Sequence, residues 1–186
     1  MMKKQGIILA AVLLLATGCS ADPAQSKTSN VDSGIRTVIS ADYPHYASLQ
    51  ALSEKADTIV KAKWLQADIK DDQGVSSTIS KLQVTGVYKG NAEQGSTILF
   101  SQPGSNASMT KDADVTSTDF VLLEAEQEYI LFLEKPAGAT NYYLLNPYQS
   151  CYVFDANAKT TDTLHPVLAQ NAADFSLTYD ALSKLK

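Results

Sequence analysis

The sequence predicts a mainly β domain, a small antiparallel barrel or sandwich, with one short helix at each end. Three observations carry that prediction. Apolar and polar residues alternate with the two-residue period of a half-buried strand in several short stretches. The stretches stop at turn-forming clusters, among them Asp71-Asp72-Gln73-Gly74, Lys89-Gly90-Asn91 and Pro103-Gly104. Helical spacing is confined to the two ends of the folded part.

The chain opens Met1-Met2-Lys3-Lys4, a cationic head, and continues through the apolar run Ile7 to Ala16 to the small residues Thr17-Gly18. That is the layout of a secretory signal peptide. The apolar run is far shorter than the roughly 20 residues needed to cross a bilayer. Ala16-Thr17-Gly18-Cys19 resembles the lipobox of bacterial lipoproteins, with Ala16 standing where leucine is usual. The resemblance implies that Cys19 receives a diacylglyceryl group and becomes the new N-terminus. Two acyl chains suffice for stable attachment, at about 0.8 kcal/mol per buried methylene. The expected organisation is therefore a signal peptide over 1–18, the lipidated Cys19 and a polar spacer over 19–40, and a single β-barrel domain over 41–186.

Within that domain, Pro44, Tyr46, Leu49, Leu52 and Ala56 predict a helix over about Pro44 to Lys55, with Asp42 as its cap. Val60, Ala62 and Trp64 alternate with Lys61 and Lys63, which predicts a strand from Thr58 to Gln66. A second strand is expected from Ser77 to Tyr88, with Leu82, Val84 and Tyr88 on one face, and a third from Ser96 to Gln102. Ser105 to Asp119 is polar and aperiodic and reads as a long exposed loop. Tyr129-Ile130-Leu131-Phe132-Leu133 is the most apolar run after the signal, short enough for a strand buried on both faces. Tyr142-Tyr143-Leu144-Leu145 and Cys151-Tyr152-Val153-Phe154 predict two further strands, and a terminal helix is expected from about Leu177.

Ala56-Asp57-Thr58-Ile59-Val60, Val87-Tyr88-Lys89-Gly90, Gln102-Pro103-Gly104 and Glu128-Tyr129-Ile130-Leu131-Phe132-Leu133 occur in an order similar to uncharacterised secreted and lipid-anchored domains of Gram-positive bacteria. More distantly, the order resembles the netrin-like domain of the tissue inhibitors of metalloproteinases. That resemblance implies an OB-type five-stranded barrel. It does not carry over the inhibitory chemistry, in which an N-terminal cysteine held by disulfides chelates the target's zinc. Here Cys19 is expected to carry lipid and sits on a spacer. Where the bacterial group has glycine before the Glu-Tyr pair, this chain has Glu126-Gln127.

Charge and composition narrow the function. The chain has a formal charge of −5 with Lys3 and Lys4 included, hence −7 once the signal is removed. An acidic domain is a poor partner for nucleic acid, where Lys and Arg supply the affinity. With two cysteines and Cys19 assigned to lipid, Cys151 has no intramolecular partner and is expected to be a small buried hydrophobe. The two histidines, His45 and His165, lie near opposite ends of the domain, and neither sits in a cluster of zinc ligands. There is no Gly-x-Ser-x-Gly elbow. Gly90-Asn91-Ala92-Glu93-Gln94-Gly95-Ser96-Thr97 has the glycine spacing of a phosphate loop, but Ser96 replaces the lysine and a strand follows instead of a helix. Glu124, Glu126 and Glu128 alternate and would share a strand face beside Asp112, Asp114 and Asp119, which reads as a solvated acidic surface.

No catalytic residue, metal site or cofactor is therefore assigned. Tyr142, Tyr143 and Tyr148 are the candidate ligand-binding residues, because tyrosine is favoured at interfaces; strand alternation divides them, with Tyr152, between two faces. The function expected is a non-enzymatic binding or accessory lipoprotein of the cell membrane's outer face. Its partners would be the membrane, through the lipid anchor, and an envelope protein or peptide. The alternative is an envelope enzyme or a protease-inhibitor-like domain.

Overall fold

The computed structural model describes residues 37–39, 42–72, 75–104, 115–117, 119–168 and 175–185. The signal segment, Cys19 and the acidic residues Asp112 and Asp114 lie outside these. Among the described residues the chain is mainly β, with two short helices. Its strands are β1 (Thr37–Ile39), β2 (Thr58–Asp72), β3 (Val75–Lys89), β4 (Thr97–Pro103), β5 (Val115–Ser117), β6 (Glu128–Glu134), β7 (Tyr143–Leu144), β8 (Cys151–Phe154) and β9 (His165–Pro166); its helices are α1 (Leu49–Lys55) and α2 (Tyr179–Ser183).

Seven strands form one antiparallel sheet in the order β4-β3-β2-β6-β8-β9, with β7 paired to β6 beside that path. The ladder does not close on itself. A single parallel bridge joins Phe100 of β4 to Tyr142. Its two hydrogen bonds run from Tyr142 N to Leu99 O at 2.8 Å and from Ser101 N to Tyr142 O at 2.9 Å. β1 and β5 form a separate parallel pair. Both fall where composition predicts a spacer and a loop. A three-residue pairing between distant segments leaves no periodic trace in sequence.

β6 is buried along its whole middle, as its continuous apolar run predicts. Tyr129, Leu131 and Leu133 face one core, with Val60, Ala62, Leu82, Val84, Phe100 and Cys151. Ile130 and Phe132 face a second core, with Leu52 of α1 and Leu177 and Leu182 near and on α2. Alternation in β2 follows expectation: Val60 and Ala62 are fully buried, while Lys61 reaches out to Glu128 at 3.3 Å and over the Phe154 ring at 4.4 Å.

The β2–β3 ladder contains three register shifts, each leaving one residue unmatched: Leu65, Thr85 and Tyr88. Such bulges bend a strand and increase its twist. They also move Tyr88 off the face predicted for it. Leu82 and Val84 point into the first core, whereas Tyr88 packs against the second.

α1 is shorter than its spacing predicts. It starts at Leu49 because Ser48 caps it, accepting a hydrogen bond from Ala51 N at 3.1 Å. The residues before it cannot be helical, since the N–H and C=O of Tyr46 are both bound by the Gln149 side chain. The expected strand through Glu124, Glu126 and Glu128 is a turn in its first part. Glu126 adopts φ 67 and pairs with Lys63, and only Glu128 enters β6. That turn takes the left-handed backbone at a non-glycine residue.

Gly90 ends the β3 ladder at φ 92, and a Cβ there would lie 2.5 Å from Asp57 O and 2.7 Å from Thr58 Oγ1. Gly95 has φ 87 but open space around it. Gly90→Ala is expected to cost upwards of ~2 kcal/mol, against about 1 kcal/mol for Gly95→Ala, where only backbone strain acts. Urea unfolding midpoints check the contrast, and equal losses would contradict it.

Candidate functional site

Prolines at the ends of elements collect at one place beside the sheet. Pro103 ends β4, Pro136 follows β6, Pro147 follows β7 and Pro44 precedes α1. All four line a cleft of about 630 Å³ together with Tyr43, Tyr46 and Tyr143. The cleft lies where the start of β3 and the end of β4 meet the end of β6 and β7, next to the Tyr142 bridge. Ser76 and Ser77 of β3, Ser101 of β4, Leu144 of β7 and the adjacent Leu145 also line it. Lys55, Asp119 and Glu134 supply its charge. A largely apolar hollow of this size with a few placed polar groups has the make-up of a ligand site, which typically spans about 300–1,000 Å³.

A network of amides fixes the aromatic wall. The buried Gln149 accepts from Tyr46 N at 2.9 Å and donates to Tyr46 O at 2.9 Å. Asn146 donates to Pro44 O at 3.0 Å, accepts from Tyr148 N at 2.8 Å, and its own N–H is bound by Ser150 Oγ at 3.1 Å. The loop between β7 and β8 thus holds Pro44 and Tyr46 in place. On the opposite side, Gln102 clamps the backbone of Val121, donating to its C=O at 3.0 Å and accepting from its N–H at 2.9 Å. This positions Asp119, which is only 4% exposed.

Asp119 organises the tyrosines electrostatically. Tyr148 donates its hydroxyl proton to Asp119 Oδ1. That hydrogen bond, followed by burial and the carboxylate's charge, pushes the Tyr148 phenol up to about 12. Burial and the same carboxylate raise Tyr43 above its ordinary value. Tyr46 is raised by burial and by Glu134.

The three candidate tyrosines are not brought to one surface. Tyr143 lines the cleft. Tyr148 acts behind it, through Asp119. Tyr142 lines a different hollow with Asn91 and Glu93, its ring 5.0 Å from Lys135 Nζ. Tyr152 is core. Tyr43, Pro44, Tyr46 and Asp119 belong to the cleft; Pro44 and Tyr46 fall in the spacing that predicts a helix, which does not mark them as site residues, and Tyr43 and Asp119 carry no periodic signal. The only clue is composition, in the tight Tyr43-Pro44-His45-Tyr46 run and in prolines that read as mere strand stops.

Among the described residues no group of three or more His, Cys, Asp or Glu is arranged to hold a metal ion. None of their helices is long and apolar enough to cross a membrane. Cys151 is fully buried, and burial pushes its thiol up, away from the reactive thiolate. No protein-family model matches the chain, and no curated protein matches it.

Three outcomes follow from the cleft's construction. Gln149→Ala orphans both backbone groups of Tyr46 and is expected to cost roughly 2–4 kcal/mol in denaturant unfolding. Because Tyr148 titrates near 12 in the folded chain, against an ordinary tyrosine value of 10.0, its contribution to stability is complete below pH 10 and fades as pH rises towards 12. Asp119→Asn is expected to bring the Tyr148 phenolate in at lower pH, read by ultraviolet titration against Tyr148→Phe. An unchanged titration would contradict the assigned cause.

Proposed function

We propose that the chain is a cell-envelope lipoprotein, tethered through a diacylglyceryl group on Cys19, whose folded part is a binding module. The module takes a protein or peptide segment of the envelope into the cleft lined by Tyr43, Tyr46 and Tyr143. The observation that carries this reading is the cleft itself, whose aromatic and proline walls are held rigid by Gln149 and Asn146. Rigid aromatic surface binds at low entropic cost, because few rotamers are lost on contact. The acidic charge of the chain and the lipobox-like run before Cys19 support the placement at an outer surface held off by a spacer.

We also read the sheet as an OB-type barrel with its seam at Tyr142. The support is the Phe100–Tyr142 bridge, together with the three bulges that curl β2 and β3. In barrels of this type ligands are bound on one sheet face and its loops. The cleft at the seam fits that habit.

Cys19→Ser is expected to abolish incorporation of labelled palmitate and to release the protein from the membrane fraction. Continued labelling would defeat the anchor. A photoreactive residue in place of Tyr143 is expected to give a discrete adduct in intact cells, whereas one in place of the exposed Lys81 gives none. Equal labelling at both positions would remove the cleft from consideration.

A further inference from the structure

β2 outruns its neighbour. It pairs with β6 only from Thr58 to Lys63, yet it stays paired with β3 through Asp72. From Trp64 to Lys70, the side of β2 turned away from β3 makes no backbone hydrogen bond to any other described residue. An edge without a described strand beside it is a template for another strand. Two large apolar side chains stand exposed on it, Leu65 at 47% and Ile69 at 39%. Asp68 and Lys70 are exposed beside them. Neither has an ion-pair partner among the described residues.

The order Asp68-Ile69-Lys70 is self-complementary. Two identical strands that pair antiparallel about a twofold axis must set residues of equal parity opposite each other, because side chains alternate between faces. An axis through Asp68 opposes two aspartates. An axis through Lys70 opposes two lysines. An axis through Ile69 sets Ile69 against its copy and places Asp68 opposite Lys70 of the second copy twice, once on each side of the axis. Opposite charges across strands stabilise pairing and like charges oppose it. We infer that the outer half of β2 is a homodimerisation edge, in which a second copy of this chain pairs antiparallel with register centred on Ile69. The contact is isologous and closed, so it makes a dimer and not a fibre. It depends neither on the lipid nor on the cleft.

The test uses the full chain in mild detergent, with Cys19→Ser so that Ile69→Cys supplies the accessible thiol; Cys151 is buried. Mild oxidation is expected to give a covalent dimer through position 69, and Lys81→Cys, on the far side of the hairpin, is expected to give none. Asp68→Lys in that background, which leaves lysine at both charged positions, is expected to lower the dimer yield by roughly tenfold. Lys70→Asp, which leaves aspartate at both, is expected to do the same. Mixing the two variants restores every opposite-charge pair, so the yield should return as a heterodimer, which also shows that each variant is folded. A chain that stays monomeric overturns the inference and makes Asp68 and Lys70 guards that keep the edge unpaired. A cross-link indifferent to both charge changes overturns it as well.

Discussion

The structure depends on one strand having no solvent side. β6 presents Leu131 and Leu133 to one apolar cluster and Ile130 and Phe132 to another, and all four are fully buried. Burying side chains of this size is worth about 1.5–3 kcal/mol each, so the strand gains from both of its faces. The two cores cannot form independently, since each takes part of its wall from the same seven-residue strand. β2 and β8 flank it through ladders on either edge, and the helices exist to cover the face that the curled sheet leaves open. Neither α1 nor α2 is long enough to persist alone in water, and each keeps its shape by seating one leucine, Leu52 or Leu182, in the second core.

The cleft is a by-product of how this sheet ends. Bulges bend β2 and β3 until β4 approaches β7, and the chain is stopped by prolines where these edges converge. Polar backbone left exposed at such a seam needs partners, and side-chain amides supply them: Gln102 on one wall, Asn146 and Gln149 on the other. The outcome is a surface of rings whose positions are set by buried hydrogen bonds. Asp119 sits among three groups that share its field, two tyrosine hydroxyls and the clamp on Val121, so charge and packing in this corner are coupled.

What the sequence made legible was whatever repeats locally. The run Tyr129–Leu133 announces a two-sided strand, and the Val60/Ala62 alternation announces a one-sided strand. Thr85 and Tyr88 hide the bulges, because an unmatched residue is defined by the strand opposite it. Tyr43 gave no signal and Tyr46 was placed in the helix, since the Gln149 amide that holds it lies 103 residues away. Helical spacing from Pro44 was real in the apolar pattern and overruled by that amide. Of the tyrosines after Thr140, only Tyr143 and Tyr152 lie in strands, so alternation does not govern Tyr142 or Tyr148, and the role of Tyr148 as support for a carboxylate was invisible without its partner.

That long separation between Tyr46 and Gln149 also sets an order of events. A chain made from its N-terminus presents residues 43–46 long before 146–150 exist, so the aromatic wall has nothing to dock against until most of the domain has been synthesised. Until then Tyr43 and Tyr46 stay with the nascent strand's unpaired apolar segments, within reach of any chaperone. The aromatic wall of the cleft therefore forms late, and a truncated chain that ended before Asn146 would contain the residues of β2, β3 and β6 yet lack the amides that hold Pro44 and Tyr46.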